Sequence, residues 1–137
     1  MGSRRKAREL ALEALYRLDL MKDSIDSILA DIKSRDYSSE VYAFMQKIVK
    51  KTVENLDYID GIIKGVAINW RLERMTYIDK NIIRLGIAEL LYFPDIPPKV
   101  TMNEYIEIAK KYSTDDAGKF VNGILDKIAK GEYNTEQ

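Results

Sequence analysis

The first residues of the chain carry cationic side chains whose spacing suits the binding of phosphate. Arg4, Arg5, Lys6 and Arg8 lie close together, and Tyr16 follows about two helical turns after Arg8. A guanidinium group binds phosphate through two parallel hydrogen bonds, and a tyrosine ring can stack on an unpaired base. This combination favours binding of single-stranded RNA. Arginines in the first turns of a helix are also often merely solvated, so the cluster alone leaves both interpretations open.

The first predicted helix would place these groups on one side. Apolar residues recur at intervals of three and four over residues 7–21, which is the stripe of an amphipathic helix. At about 100° per residue, Arg5, Arg8, Leu12 and Tyr16 fall on a narrow strip roughly opposite that stripe, with Arg4 close by. We therefore expect an exposed strip of basic groups and one aromatic ring, and we expect neither Arg5 nor Arg8 to belong to the core.

A second group of candidate residues lies at the start of the last predicted helix. Lys119 is cationic, and Phe120 falls at the edge of the apolar stripe, where a core aromatic is the default interpretation. Asp115 and Asp116 precede them in the first turn, where carboxylates usually cap the helix and interact favourably with its dipole. We therefore predict no metal site at these carboxylates.

The composition excludes several classes of protein. The chain has 137 residues with 22 Lys and Arg against 22 Asp and Glu, so only a local patch could attract nucleic acid. It has no cysteine and no histidine, which removes disulfides, the usual zinc ligand sets and Ser-His or Cys-His couples. No stretch approaches the roughly 20 apolar residues of a membrane helix. We expect one cytoplasmic domain with no metal, cofactor or enzymatic activity.

Amphipathic periodicity predicts six or seven helices and no strand. The predicted helices cover approximately residues 4–21, 25–32, 41–53, 56–70, 76–93, 101–112 and 114–128. Helical patterns without strands imply an all-α bundle. The irregular residues 71–76 suggest two packed sub-bundles, about 4–70 and 71–131, with a frayed tail at 132–137.

Several polar residues are predicted to begin helices. Ser24, Thr76 and either Ser113 or Thr114 precede apolar periods and can accept a hydrogen bond from a backbone N–H of the first turn. Thr101 with Glu104 three residues later has the spacing of a capping box, so we predict that Thr101 begins the sixth helix.

The fifth predicted helix is apolar around its whole circumference, which is typical of a helix surrounded by other helices. It also carries charged residues, among them Asp79, Arg84 and Glu89. Burying a charge without a partner is costly, so we expect each of these to be paired or to contact a partner.

Strings of residues along almost the whole chain resemble one known family. These strings are Arg4 to Glu9, Ala14 to Tyr16, Ile78 to Lys80, Leu85 to Leu90, Ile96-Pro97 with Asn103-Glu104, Ile106 to Lys110, and Lys119 to Asp126. Their order and spacing over about residues 4–130 resemble the NusB family of bacterial transcription antitermination factors. The resemblance implies an all-α fold of two helical sub-bundles, in agreement with the periodicity.

The resemblance also implies a function. A NusB-like protein would bind the boxA element of ribosomal RNA leader transcripts together with NusE, a ribosomal protein. That complex would join the elongating RNA polymerase with other Nus factors and suppress premature termination. The free protein would be a monomer or a homodimer, and the presence of Lys6 where some relatives carry a third arginine implies weaker binding of RNA.

Residue roles follow from the same resemblance. The implied RNA contacts are Arg4, Arg5, Lys6, Arg8, Tyr16, Lys119 and Phe120. The implied contacts to NusE are Asp79 and Asp116. If both motifs bind one RNA strand, the basic face of the first helix should lie near the start of the last helix.

One alternative function remains open at the level of the sequence. A helical adaptor that binds only proteins could use exposed tyrosines or Trp70 as its main contacts, since aromatic residues dominate many protein interfaces.

Overall fold

The computed structural model describes residues 2–67 and 74–133, and within these ranges the chain consists of helices joined by short connections. The helices are α1 (Gly2–Tyr16), α2 (Ile25–Lys33), α3 (Ser39–Glu54), α4 (Leu56–Val66), α5 (Tyr77–Tyr92), α6 (Pro98–Tyr112) and α7 (Asp115–Ala129). The predicted all-α fold is confirmed. None of the helices in the described ranges is long and apolar enough to cross a membrane.

Helix α1 does not continue unchanged to residue 21 as predicted. After Tyr16 the chain makes one turn of π-helix, Arg17–Met21. Lys22 ends the turn in the left-handed region with φ 61°. Residues 17–21 therefore remain helical but are wound more widely than α1.

Three of the four predicted helix starts are confirmed. The hydroxyl oxygens of Ser24, Thr76 and Thr114 each accept a hydrogen bond from the backbone N–H three residues later, at 3.0 to 3.1 Å. The prediction for Thr101 is wrong, because α6 begins one turn earlier, at Pro98. Proline suits the first position of a helix, since its missing N–H would have no partner there. Thr101 is consequently a buried residue inside α6.

Helix α5 is the central element, as its circumferential apolar pattern predicted. Every residue from Asn81 to Glu89 is buried, and α5 contacts α1, α3, α4, α6 and α7. Helix α7 approaches α5 so closely at Gly86 that a Cβ there would lie 2.8 Å from Cδ1 of Leu125. Only glycine allows this approach without displacing the leucine.

A single core joins all these helices. Its buried apolar side chains come from each helix in the described ranges, for example Ala11 of α1, Ile28 of α2, Ile62 of α4 and Val121 of α7. The predicted division near residue 71 and the aromatic Trp70 lie outside the described residues. The two sub-bundle boundaries therefore stay a prediction.

Candidate nucleic-acid interface

Arg5 lies on the surface, as predicted, but a carboxylate already holds it. Its Nε and Nη2 donate to the two carboxylate oxygens of Glu104 on α6, at 2.8 and 2.7 Å. These hydrogen bonds hold the pKa of Glu104 below its usual value and raise that of Arg5. The two donors of Nη1 and one of Nη2 remain outside this pair and are available to a phosphate.

Leu12 is buried, and the prediction that it would lie on an exposed strip is wrong. The same prediction is wrong for Arg8. Only 2% of its surface is exposed, and its Nε and Nη2 donate to Glu89 of α5 at 2.8 and 2.7 Å. The prediction failed because α1 packs against both α3 and α5, so its buried surface is wider than one apolar stripe. The guanidinium of Arg8 thus joins α1 to the centre of the fold.

Glu89 is the centre of a buried polar cluster. Its carboxylate is fully buried and also accepts hydrogen bonds from the hydroxyls of Thr101 and Tyr105, at 2.6 and 3.0 Å. Burial, with the neighbouring carboxylate, raises the pKa of Tyr105 well above its usual value. Satisfying a buried carboxylate in this way offsets the cost of taking its charge out of water. The cluster confirms that charged Glu89 would be paired and fixes α1, α5 and α6 relative to one another.

The two charge pairs form a continuous ladder from the interior to the surface. Nη1 of Arg8 lies 3.6 Å from Oε1 of Glu104, which in turn binds Arg5. Positive and negative groups therefore alternate from Glu89 through Arg8 and Glu104 to Arg5. The position of the exposed guanidinium of Arg5 is therefore linked to the buried residue Glu89.

Arg4 and Lys6 are held by aromatic rings on either side of α1. The guanidinium carbon of Arg4 lies 4.6 Å from the ring centre of Phe44, and Nζ of Lys6 lies 5.5 Å from that of Tyr37. Lys6 is also 3.9 Å from Glu9. A cation over a ring face is attracted by the ring without being neutralised. Arg4 is therefore available to an anion, whereas Lys6 is partly offset by Glu9.

Tyr16 is half-buried beside an open cavity. Its ring meets that of Tyr77 edge to face, with the centres 6.4 Å apart. The adjacent cavity of about 310 Å³ is lined by side chains that include Lys6, Tyr37 and Tyr112. A pocket with aromatic walls and a cation at its edge can accept a planar base.

Lys119 and Phe120 lie beyond α6 from these residues. On one side of α6, Nζ of Lys111 lies 2.9 Å from Glu9 of α1. On its other side, Gly118 of α7 packs against the aliphatic part of Lys110. Lys119 is exposed, whereas Phe120 is half-buried and packs against the core. A surface shared by the two motifs must therefore cross α6.

The proposed partner residues Asp79 and Asp116 differ in environment. Asp116 is exposed in the first turn of α7. Asp79 is half-buried in the first turn of α5, and its Oδ1 is buried without a hydrogen-bond partner among the described residues. A buried carboxylate oxygen without a donor is unfavourable. It is a position that an incoming donor would satisfy.

Comparison with known proteins shows where this arrangement belongs. The model of the NusB family matches residues 5–130.

The chain belongs to the NusB family.

Its relatives and structural neighbours agree. A transcription antitermination protein NusB of Geobacter sp. (strain M21) is 46% identical over 138 residues, with 94% of this chain and 95% of the relative covered. That of Chloroherpeton thalassium is 48% identical over 126 residues, with 90% of this chain but only 60% of the relative covered.

Solved structures of the family share the fold. Thermotoga maritima NusB has a TM-score of 0.85 at 37% identity, with 96% of this chain and 93% of that chain covered. A chain in the crystal structure of antitermination factors NusB and NusE in complex with double-stranded RNA has a TM-score of 0.80 at 30% identity. The match covers 96% of this chain and 98% of that chain.

Sequence reasoning missed the acidic half of this NusB-family site. Glu104 was assigned to a helix cap, and Glu89 was expected only to have some partner. Helix α1 has more arginines than carboxylates, and buried or fixed guanidinium groups need anionic partners. This excess is the signal that could have pointed to distant carboxylates. The carboxylates lie over eighty residues away, so only the fold brings them together.

Proposed function

We propose that this chain is a non-catalytic transcription antitermination factor of the NusB type. It binds boxA RNA of ribosomal RNA leader transcripts together with the ribosomal protein NusE, in the cytoplasm, and the complex joins RNA polymerase and other Nus factors. The observation that carries the proposal is family membership over residues 5–130, with a structural neighbour solved as a complex of NusB, NusE and RNA.

The exposed cations at the start of α1 are proposed to bind the RNA backbone. Arg4 and Lys6 lie over aromatic rings, and Arg5 keeps one edge of its guanidinium open beside Glu104. Tyr16 and its cavity supply a stacking surface for a base. Lys119 and Phe120 contact the same RNA across α6.

Arg8 has a different role in this proposal. Because both its Nε and Nη2 are taken by Glu89 in the interior, it acts as a positioning residue for Arg5 through Glu104. An RNA-binding test should therefore leave Arg8 unchanged, since its loss would disturb the fold.

Two carboxylates are proposed to contact NusE. The unsatisfied Oδ1 of Asp79 supports a contact with a hydrogen-bond donor of the partner. Asp116 adds an exposed negative charge on α7. The Asp79→Asn variant should weaken NusE binding without affecting RNA binding by the chain alone.

The test is a gel shift with single-stranded boxA RNA, with and without NusE, at several salt concentrations. If about four phosphates are neutralised, log Kd should change with log salt by a slope of about 2 to 3. The double variant Arg4→Ala/Arg5→Ala should bind about tenfold less tightly and with a slope smaller by about 1.4.

The matched control is Lys130→Ala. It removes an exposed cation that follows the last residue of α7 and is paired with the carboxylate of Asp126. It should leave RNA binding unchanged. Binding of boxA RNA that does not respond to salt, or an Arg4/Arg5 variant that binds like the control, contradicts the proposal.

A further inference from the structure

Helix α3 presents a basic face that none of the predicted contacts includes. Lys47, Lys50 and Lys51 lie within two turns of α3 and share one side of it, opposite the buried residues Met45 and Val49. Lys47 and Lys50 are exposed, and Lys51 is half-buried. We refer to these three residues as the α3 lysine face.

The lysines of this face carry charge that the protein does not cancel. Among the described residues, none of the three forms an ion pair with a carboxylate. By contrast, Arg5, Arg17 and Arg84 are each held by at least one carboxylate. Three uncompensated cations within two turns create a local positive potential on a chain whose net charge is zero.

Aromatic rings fix two of these lysines in place. Nζ of Lys47 lies 4.9 Å from the ring centre of Phe93, and Nζ of Lys51 lies 5.7 Å from that of Tyr92. The rings come from the end of α5 and the residue after it. Attraction by a ring face orients an ammonium group while leaving its hydrogen-bond donors and its charge available to an anion.

The α3 lysine face is continuous with the start of α1. Arg4 lies over Phe44 of α3, and the ring of Phe44 meets that of Phe93 at 5.6 Å between centres. Arg4 and Lys47 also line one open cavity of about 370 Å³. The cations of α1 and α3 therefore belong to one surface, which extends about 10 Å along α3 from the Arg4 contact at Phe44 to Lys51.

Two carboxylates lie at this surface. Glu40 lines the same cavity as Arg4 and Lys47, and Glu54 is exposed one turn beyond Lys51. Along α3 the positive stretch therefore runs from Lys47 to Lys51, and Glu40 lines the cavity that joins it to Arg4. Its length and its charge suit the backbone of an extended polyanion.

We propose that the α3 lysine face binds the phosphates of RNA flanking boxA, extending the strand held by α1. This inference rests on the proposed function, because the occupant is the same RNA strand continued beyond the element. The rings beneath the lysines are covered by cations, and Phe93 is only 2% exposed, so the contact is to phosphates and not to bases. Binding here is therefore independent of flanking sequence.

The test compares three single-stranded RNA probes on the full chain. One probe is the boxA element alone, and the others carry about six added nucleotides on the 5′ or the 3′ side. Fluorescence anisotropy at several salt concentrations gives the affinity and the salt slope of each. The wild-type chain should bind one extended probe about tenfold more tightly than the short one, with a slope steeper by about 1.4.

The double variant Lys47→Ala/Lys51→Ala should lose that gain and its extra slope, while it binds the short probe within twofold of wild type. The matched control is Lys64→Ala, which removes an exposed lysine from the last turn of α4. Circular dichroism establishes that both variants keep the helical content of the wild type.

Three results would overturn the inference. Equal affinity of the wild type for short and extended probes contradicts it while leaving the proposed function intact. A double variant that weakens NusE binding but no RNA probe would assign the face to a protein partner. Failure of the wild type to bind even the short probe contradicts the proposed function as well.

Discussion

Two arginines of α1 and two lysines of α3 are held in different ways. At α1, Arg5 and Arg8 each donate two hydrogen bonds to a carboxylate, Glu104 and Glu89 respectively. At α3, Lys47 and Lys51 rest on aromatic rings and have no carboxylate partner among the described residues. A carboxylate fixes the direction of a guanidinium but cancels its charge, whereas a ring leaves the charge intact.

This difference indicates that the two regions of the surface suit different parts of an RNA strand. The α1 region has fixed geometry, which suits recognition of a defined RNA element. The α3 region offers lysines whose charge is not offset by a carboxylate among the described residues, which suits a backbone of any sequence. The comparison yields predictions that differ for residues of the same charge in the two regions.

The largest expected effect concerns stability and separates Arg8 from its neighbour Arg4. Arg8→Ala leaves the carboxylate of Glu89 buried without its charged partner, which should lower the free energy of unfolding by about 3–5 kcal/mol. Arg4→Ala removes only an exposed cation over a ring and should cost about 1 kcal/mol or less. Urea denaturation followed by circular dichroism measures both.

If Arg8→Ala and Arg4→Ala unfold at similar urea concentrations, then the buried pair does not organise the α1 region. The contrast between cations held by carboxylates and cations held by rings would then lose its basis.

Much of the fold could be predicted from the sequence. Helix positions and caps depend on local spacing and side-chain chemistry, so the starts at Ser24, Thr76 and Thr114 were predictable. The central position of α5 was equally visible, because its apolar residues surround the helix.

The candidate site was less predictable because it depends on long-range contacts. A helical-wheel projection assumes that a helix has one buried side. Helix α1 is packed against several helices, and Arg8 is directed toward Glu89 of α5. Whether an arginine faces water or a carboxylate depends on a partner over eighty residues away. The error at Thr101 has a similar origin, since its hydroxyl caps nothing and donates to Glu89 in the core.

A smaller effect should follow from releasing Arg5 from its carboxylate. Glu104→Gln removes a negative charge beside the proposed phosphate contact but keeps the side-chain shape. We expect boxA RNA to bind about threefold more tightly, with a steeper salt dependence, because the negative charge that offsets the charge of Arg5 is removed. Anisotropy titrations at two salt concentrations measure the change.

The matched control for this variant is Glu107→Gln, which removes an exposed carboxylate of α6 whose ion pair is with Lys110 at 3.4 Å. It should change RNA affinity less than Glu104→Gln does. If Glu104→Gln instead weakens RNA binding, the carboxylate contributes more by orienting Arg5 than it costs by neutralising it. The α1 and α3 regions would then differ in how their cations are oriented and not in how much of their charge is offset.

The smallest expected effect tests the rings beneath the α3 lysine face. Tyr92→Leu keeps an apolar side chain at the end of α5 but removes the ring that attracts Lys51. An exposed cation over a ring gains about 0.5–1 kcal/mol, part of which orients the ammonium. Affinity for the flanked RNA probe should therefore fall about twofold, whereas Tyr92→Phe, which keeps the ring, should bind like wild type. An equal loss in both variants would show that the tyrosine hydroxyl matters and the ring face does not, so Lys51 would be oriented by some other means.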